Sequence, residues 1–211
     1  MATVILILCI AGCYLVGSIP IAYLLVKAVR KIDIRTVGSG NSGATNAGRL
    51  LGGWGFGLVL ALDALKGFIP IELLYIFCER YFHSGHHIAV LLGAAALIVG
   101  HAFPIYLGFK GGKGVAPSLG VFTALAPYSI LVALGIFITV TVLSRMISAG
   151  SILAAAAMAI TTTIFQLYLL EQPWIELVVF TWVACIFVIY GHRANIRRIL
   201  SGTENRIKVP K

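Results

Sequence analysis

Charge is the commodity this sequence has least of. Only 11% of its 211 residues are Asp, Glu, Lys or Arg, against about 25% in soluble domains, so a soluble fold would lack the polar side chains to cover its surface. Acidic residues are scarcer still: 7 stand against 16 Lys and Arg, leaving a formal net charge of +9. That imbalance points to anionic partners, whether lipid headgroups, phosphorylated metabolites or nucleic acid. Cysteine is limited to Cys9, Cys13, Cys78 and Cys185, all in apolar stretches without metal-ligand spacing. They read as small buried hydrophobes, which excludes a disulfide framework and a thiolate metal site. The N-terminus has no basic region ahead of its apolar run, and the run is too long for a cleaved leader, so it is expected to persist as a membrane span. What fills the chain instead is hydrocarbon: 60% of residues are hydrophobic and the mean hydropathy is +1.00.

A helix needs about 20 apolar residues to cross roughly 30 Å of hydrocarbon, and the chain offers candidates at 3–26, 54–78, 87–107, 147–170 and 173–191. A sixth apolar region, 115–143, has Pro117 near its start and Pro127 near its middle. Basic residues in short loops mark the cytoplasmic side. The basic segments are Lys27 to Arg49 with Arg30, Lys31 and Arg35; Lys110 with Lys113; Arg145; and the tail with Arg193, Arg197, Arg198, Arg206, Lys208 and Lys211. The other connections hold Glu79, Arg80 and the histidines His83, His86 and His87, then Glu171 and Glu176. Lys113 and Arg145 share a side only if 115–143 crosses twice or not at all, so a turn is expected at Pro127. The expected architecture is an all-α integral membrane protein, a single domain over 1–211 with seven helical segments. Two of them, about 115–126 and 128–143, are short or re-entrant, with the N-terminus outside and the C-terminus cytoplasmic. Every basic residue except Lys66 and Arg80 then faces the cytoplasm.

The composition of those cytoplasmic loops exceeds what orientation needs. The first contains Gly38-Ser39-Gly40-Asn41-Ser42-Gly43-Ala44-Thr45-Asn46 and then Arg49. Glycines let backbone amides converge on an anion, Ser39, Asn41, Thr45 and Asn46 add side-chain donors, and Arg49 supplies a planar fork for phosphate. The second runs from Gly100-His101-Ala102-Phe103-Pro104 to Lys110-Gly111-Gly112-Lys113-Gly114, again small residues interleaved with cations. It is not a nucleotide-binding P-loop: three residues, not four, separate Gly108 from Gly112-Lys113, and Gly114 stands where Ser or Thr is required. His101 reads as a hydrogen-bonded interfacial histidine.

In the tail, a helix continuing past the interface puts His192, Asn195 and Ile199 on one face. A neutral histidine there accepts a proton and an amide orients a hydroxyl or oxyanion. Arg197 and Arg198 read as headgroup anchors, and Glu204 as a structural partner for one of these arginines. Asp63 and Lys66, three apart inside the second span, read as a structural ion pair, because charges at that depth are costly unless paired. Arg145, with Ser148 nearby, adds a cation and a hydroxyl on the same side.

These segments together resemble the bacterial acyl-phosphate:glycerol-3-phosphate acyltransferase (PlsY) family. Gly38 to Asn46 with Arg49 resembles its first motif, Gly100 to Pro104 through Phe109 to Ala116 its second, and His192 to Ile196 through Gly202 to Glu204 its third. The resemblance implies transfer of a fatty acyl group from acyl phosphate to the 1-hydroxyl of glycerol 3-phosphate at the cytoplasmic face of a bacterial plasma membrane. Membrane lipids are the other partner; no cofactor, metal or nucleic acid is implied. By this match Ser39, Arg49, Lys113 and Lys110 hold phosphate or the reacting carbonyl, Gly111 and Gly112 admit the acyl phosphate, and His192 with Asn195 positions the glycerol hydroxyl. The base is then His192 or a substrate phosphate oxygen. Other acyltransferases acting on glycerol 3-phosphate place an aspartate five positions after a histidine; the residues at that offset here are Ile88, Leu91, Leu92, Tyr106 and Arg197. A small transporter of an anionic metabolite, with Asp63 and Lys66 as a coupling pair, is the alternative.

Overall fold

The computed structural model describes residues 2–81 and 86–207; His83, Lys208 and Lys211, used above in assigning sides, lie outside them. Every regular element among the described residues is helical. The chain divides into two compact units, Met1–Ala124 and Leu125–Lys211.

The first unit holds α1 (Ala2–Ser18), α2 (Ile21–Arg30), α3 (Ala44–Leu51), α4 (Gly53–Tyr81), α5 (His86–Ala102) and nearly all of α6 (Val115–Leu125). The expected span 3–26 falls within Thr3–Arg30, one candidate span, whose helical hydrogen bonding is interrupted between α1 and α2, where Pro20 has no amide hydrogen to continue the ladder. α1 lies closely along α5, since a Cβ on Gly17 would overlap the Leu97 carbonyl and one on Gly100 the Tyr14 carbonyl. Small residues at such a crossing let two backbones approach, as between helices in lipid. Ala22, Val26, Ile34, Ala44, Ala47, Leu51 and Val59 form a buried cluster that joins α2, α3 and α4 and seats the first polar loop. α4, at 29 residues, is about 44 Å long, enough to cross.

The second unit holds α7 (Pro127–Ser144), α8 (Ile147–Ile164) with a π-helical extension over Phe165–Leu169, α9 (Ile175–Gly191) and α10 (Arg193–Leu200). Pro127 opens α7 at its first turn, where its missing amide hydrogen has no helical partner to lose. The turn expected there is real, and the 11-residue α6 before it is about 17 Å long, too short to span alone. Thr3–Arg30, His87–Leu107, Pro127–Ser144 and Ile147–Leu169 are each long and apolar enough to cross a membrane, and α9 with α10 is a further, bent candidate. Side chains such as Leu143 at 80% exposure, Val142, Leu131 and Ile186 point outward, a surface that suits contact with lipid.

Candidate active site

In the first unit, Asn46 organises the glycine-rich loop. It is buried on α3, its amide hydrogens donate to the carbonyls of Ile34 (3.1 Å) and Val37 (3.0 Å), and its Oδ1 accepts the amide of Ser39 (3.1 Å). Gly38 has φ +63° and a Cβ there would overlap Asn46 Oδ1, so both backbone angle and space demand glycine. Asn46 is therefore committed to its own loop and presents no amide hydrogen to a ligand. Ser39 and Arg49 are exposed, and Thr45 is half-buried.

Two bridges that the sequence reading did not anticipate hold the first loop to the second. Asn41 Nδ2 donates to the Gly111 carbonyl (3.3 Å) and Arg35 Nη1 to the Leu107 carbonyl (3.2 Å). Arg35 is itself held by Asp33, with Nη2 to Oδ2 at 2.7 Å. Hydrogen bonding to Arg35 keeps the Asp33 carboxyl below its ordinary value. The acid two positions before the arginine was the available signal. In the second loop Gly111 and Gly112 donate their amides to the carbonyls of Ala102 and His101, both at 3.0 Å. They are pressed onto the end of α5, a packing reason for glycine beside the expected one of admitting substrate. Lys110 is exposed, Lys113 half-buried and Gly114 buried.

In the second unit the polar side chains converge on Glu204. Its Oε1 accepts hydrogen bonds from Ser148 Oγ (2.9 Å) and Asn195 Nδ2 (2.7 Å), and its Oε2 from Arg198 Nε (2.7 Å). Burial pushes this carboxyl's pKa up, but the bonds from Asn195, Arg198 and Ser148 outweigh it and hold the group below the usual glutamate value. The Asn195 amide nitrogen thus faces a carboxylate. Arg145, in the left-handed conformation at the end of α7, accepts the Ile207 amide on its carbonyl (2.8 Å); its side chain is exposed.

His192 sits at the vertex where α9 and α10 bend by 59°, so the tail does not continue as one straight helix. The bend does not expose the pair: His192 is 4% and Asn195 7% exposed. His192 Nδ1 lies 2.8 Å from the Val188 carbonyl. A carbonyl only accepts, so Nδ1 carries the hydrogen and Nε2 is the basic nitrogen of the neutral ring. An apolar groove of about 230 Å³ runs beside these residues, lined by Ala149, Ile152, Leu153, Ile196, Ile199 and Leu200. Arg193 stacks over Tyr190, 4.6 Å from the ring centroid, a cation–π contact.

These features define a multi-pass helical membrane protein with glycine-rich, cation-bearing loops and a buried, hydrogen-bonded histidine in its tail. The model of the glycerol-3-phosphate acyltransferase family matches residues 7–202, and the chain belongs to that family. The glycerol-3-phosphate acyltransferase of Endomicrobium trichonymphae is 46% identical over 198 residues, 94% of each chain. That of Chlorobaculum tepidum is 41% identical over 216 residues, 92% of this chain and 93% of the other. A crystal structure of PlsY, an integral membrane glycerol 3-phosphate acyltransferase, in its glycerol 3-phosphate form, superposes with a TM-score of 0.84 at 33% identity over 96% of both chains. The lysophosphatidic acid form does so with 0.82 at 32% identity, over 96% of this chain and 95% of that one.

Proposed function

We propose that this protein transfers a fatty acyl group from acyl phosphate to the 1-hydroxyl of sn-glycerol 3-phosphate. The hydroxyl oxygen bonds to the acyl carbon, the bond from that carbon to phosphate oxygen breaks, and inorganic phosphate leaves with lysophosphatidic acid as the other product. The observation that carries the acyl transfer is the full-length likeness to an enzyme solved with glycerol 3-phosphate and with lysophosphatidic acid. The donor rests on the three ordered motifs and on the lack of any histidine with an aspartate five positions later.

Acyl phosphate is already activated, so positioning and charge stabilisation carry most of the rate. Ser39, Arg49, Lys110 and Lys113 are assigned to phosphate and to the developing negative charge, with Gly38, Gly40, Asn41, Thr45, Gly111, Gly112 and Gly114 shaping their loops and Asn46 pinning the first. Arg145 and Ser148 supply a further cation and hydroxyl. The hydroxyl proton passes to His192 Nε2, the nitrogen that the Val188 bond leaves basic, while Asn195 orients the hydroxyl. Glu204 holds Asn195. The chain acts as one catalytic domain in the plasma membrane, its reaction at the cytoplasmic face, where the positive-inside rule puts the basic loops.

Purified protein in detergent, given radiolabelled glycerol 3-phosphate and acyl phosphate, is expected to release phosphate and form lysophosphatidic acid, and to do neither with acyl-coenzyme A or acyl carrier protein. Product from those thioesters but not from acyl phosphate would replace the donor. Uptake into liposomes without any product would replace the enzyme by a transporter.

A further inference from the structure

Three buried residues of the first unit take no part in the reaction as described. Asp63 and Lys66 on α4 are 1% and 8% exposed, and His101 in the last turn of α5 is 7% exposed. Lys66 Nζ lies 2.7 Å from Asp63 Oδ1 and donates to the Ile19 carbonyl at 2.8 Å, a group that the Pro20 break leaves outside the helical ladder. Asp63 has no donor other than this ammonium within hydrogen-bond reach among the described residues; His101 Nδ1 faces the same oxygen at 3.7 Å, beyond a hydrogen bond. Stability alone does not account for such a pair, because apolar residues of similar volume in place of a buried ion pair are often neutral or stabilising.

What the pair reaches is the second loop. The Nε2 edge of His101 lies directly beneath Gly112, where any Cβ would overlap it, and the His101 carbonyl accepts the Gly112 amide. On the other side of the loop, α6 is seated on α4 next to the pair: a Cβ on Gly67 would overlap the Pro117 carbonyl, and one on Gly120 the Ala64 carbonyl. The segment Gly112-Lys113-Gly114 is thus bounded by a ring that abuts Asp63 and by a helix that rests on either side of Lys66.

We propose that Asp63, Lys66 and His101 form a positioning unit: the ion pair fixes the His101 ring, and the ring sets the height and direction of the Gly111–Gly114 backbone and hence of Lys113. None of the three touches substrate. The inference rests on the reading of this loop as the phosphate cradle for the donor.

The test uses full-length protein in detergent carrying Asp63→Asn with Lys66→Met, which removes both charges together, and separately His101→Asn, which leaves the ion pair intact but withdraws the ring from Gly112. Both are expected to keep the thermal midpoint within about 3 °C while tryptic cleavage after Lys110 and Lys113 accelerates about fivefold or more through local opening. Donor KM rises about fivefold or more, with the glycerol 3-phosphate KM within about twofold of wild type. A folded variant with wild-type cleavage and wild-type donor KM would overturn the proposal. If the double variant does not fold, His101→Asn decides. If the wild type does not consume acyl phosphate, the donor reading falls and the cleavage rates still decide the positioning role.

Discussion

Replacing Glu204 by glutamine tests whether one carboxylate holds the second polar cluster together. The side chain accepts three hydrogen bonds, from Ser148, Asn195 and Arg198. A hydrogen bond to a charged group contributes about 1.5–3 kcal/mol, but the Arg198 contact is partly exposed, with 37% of that side chain accessible, and contributes below about 1 kcal/mol after solvent screening. Glutamine keeps one acceptor oxygen and turns an amide against donors that need an acceptor. The net loss is about 2–4 kcal/mol, which for a chain of this length lowers the thermal midpoint by about 5–12 °C. If the freed Asn195 also loses its orientation in the transition state, kcat/KM falls about 10- to 100-fold. The assays are thermal unfolding in detergent and steady-state phosphate release, with Arg198→Ala as the control that removes only the exposed contact. Wild-type stability and turnover in Glu204→Gln would refute the reasoning, as would an Arg198→Ala variant that is equally impaired. The pH dependence has a definite sign. The folded-state pKa of Glu204 is depressed, so its contribution is fully present above the unfolded value of about 4.3 and is lost as pH falls through the folded one. That acid-side loss is expected in the wild type and absent from Glu204→Gln.

His192→Ala is expected to lower kcat about 100-fold or more, the usual scale of general-base loss; largely retained turnover at saturating substrate would move the proton to a substrate phosphate oxygen. Gly38→Ala combines a left-handed backbone with overlap against Asn46 Oδ1, so it is expected to destabilise the loop by about 2 kcal/mol or more and to weaken substrate binding; an unchanged KM for both substrates would show that the loop is not the cradle. Single cysteines at the positions of Lys110 and Arg206, in a background lacking the native cysteines, are expected to react with a membrane-impermeant maleimide only after the cell is opened. Labelling of either in intact cells would reverse the topology.

The architecture was readable because its dominant signal is one-dimensional. Apolar length fixes where a chain crosses lipid, and counting basic loops demanded the turn that Pro127 supplies at the start of α7. The polar clusters were readable as composition, and less so as geometry. Asn46 looks like a ligand in sequence because amides serve both purposes; only its buried position on α3, with Ile34 and Val37 as acceptors, shows that it shapes the backbone. Gly111 and Gly112 carry the same ambiguity, since a glycine admits a ligand or a neighbouring helix equally well. The Arg35 and Asn41 bridges span 72 and 70 residues, and no local pattern encodes such a reach. The 59° bend at His192 had only a weak signal: Gly191 directly precedes it, but a glycine closing an apolar run marks a helix end as readily as a bend.

That bend has a mechanical consequence. One residue is bonded in both directions: His192 gives its ring hydrogen to Val188 in α9, and its own carbonyl receives the Ile196 amide of α10. The tail therefore hinges on the residue assigned above as the base: a displacement of α10 that broke the Val188 bond would release the tautomer which that assignment requires.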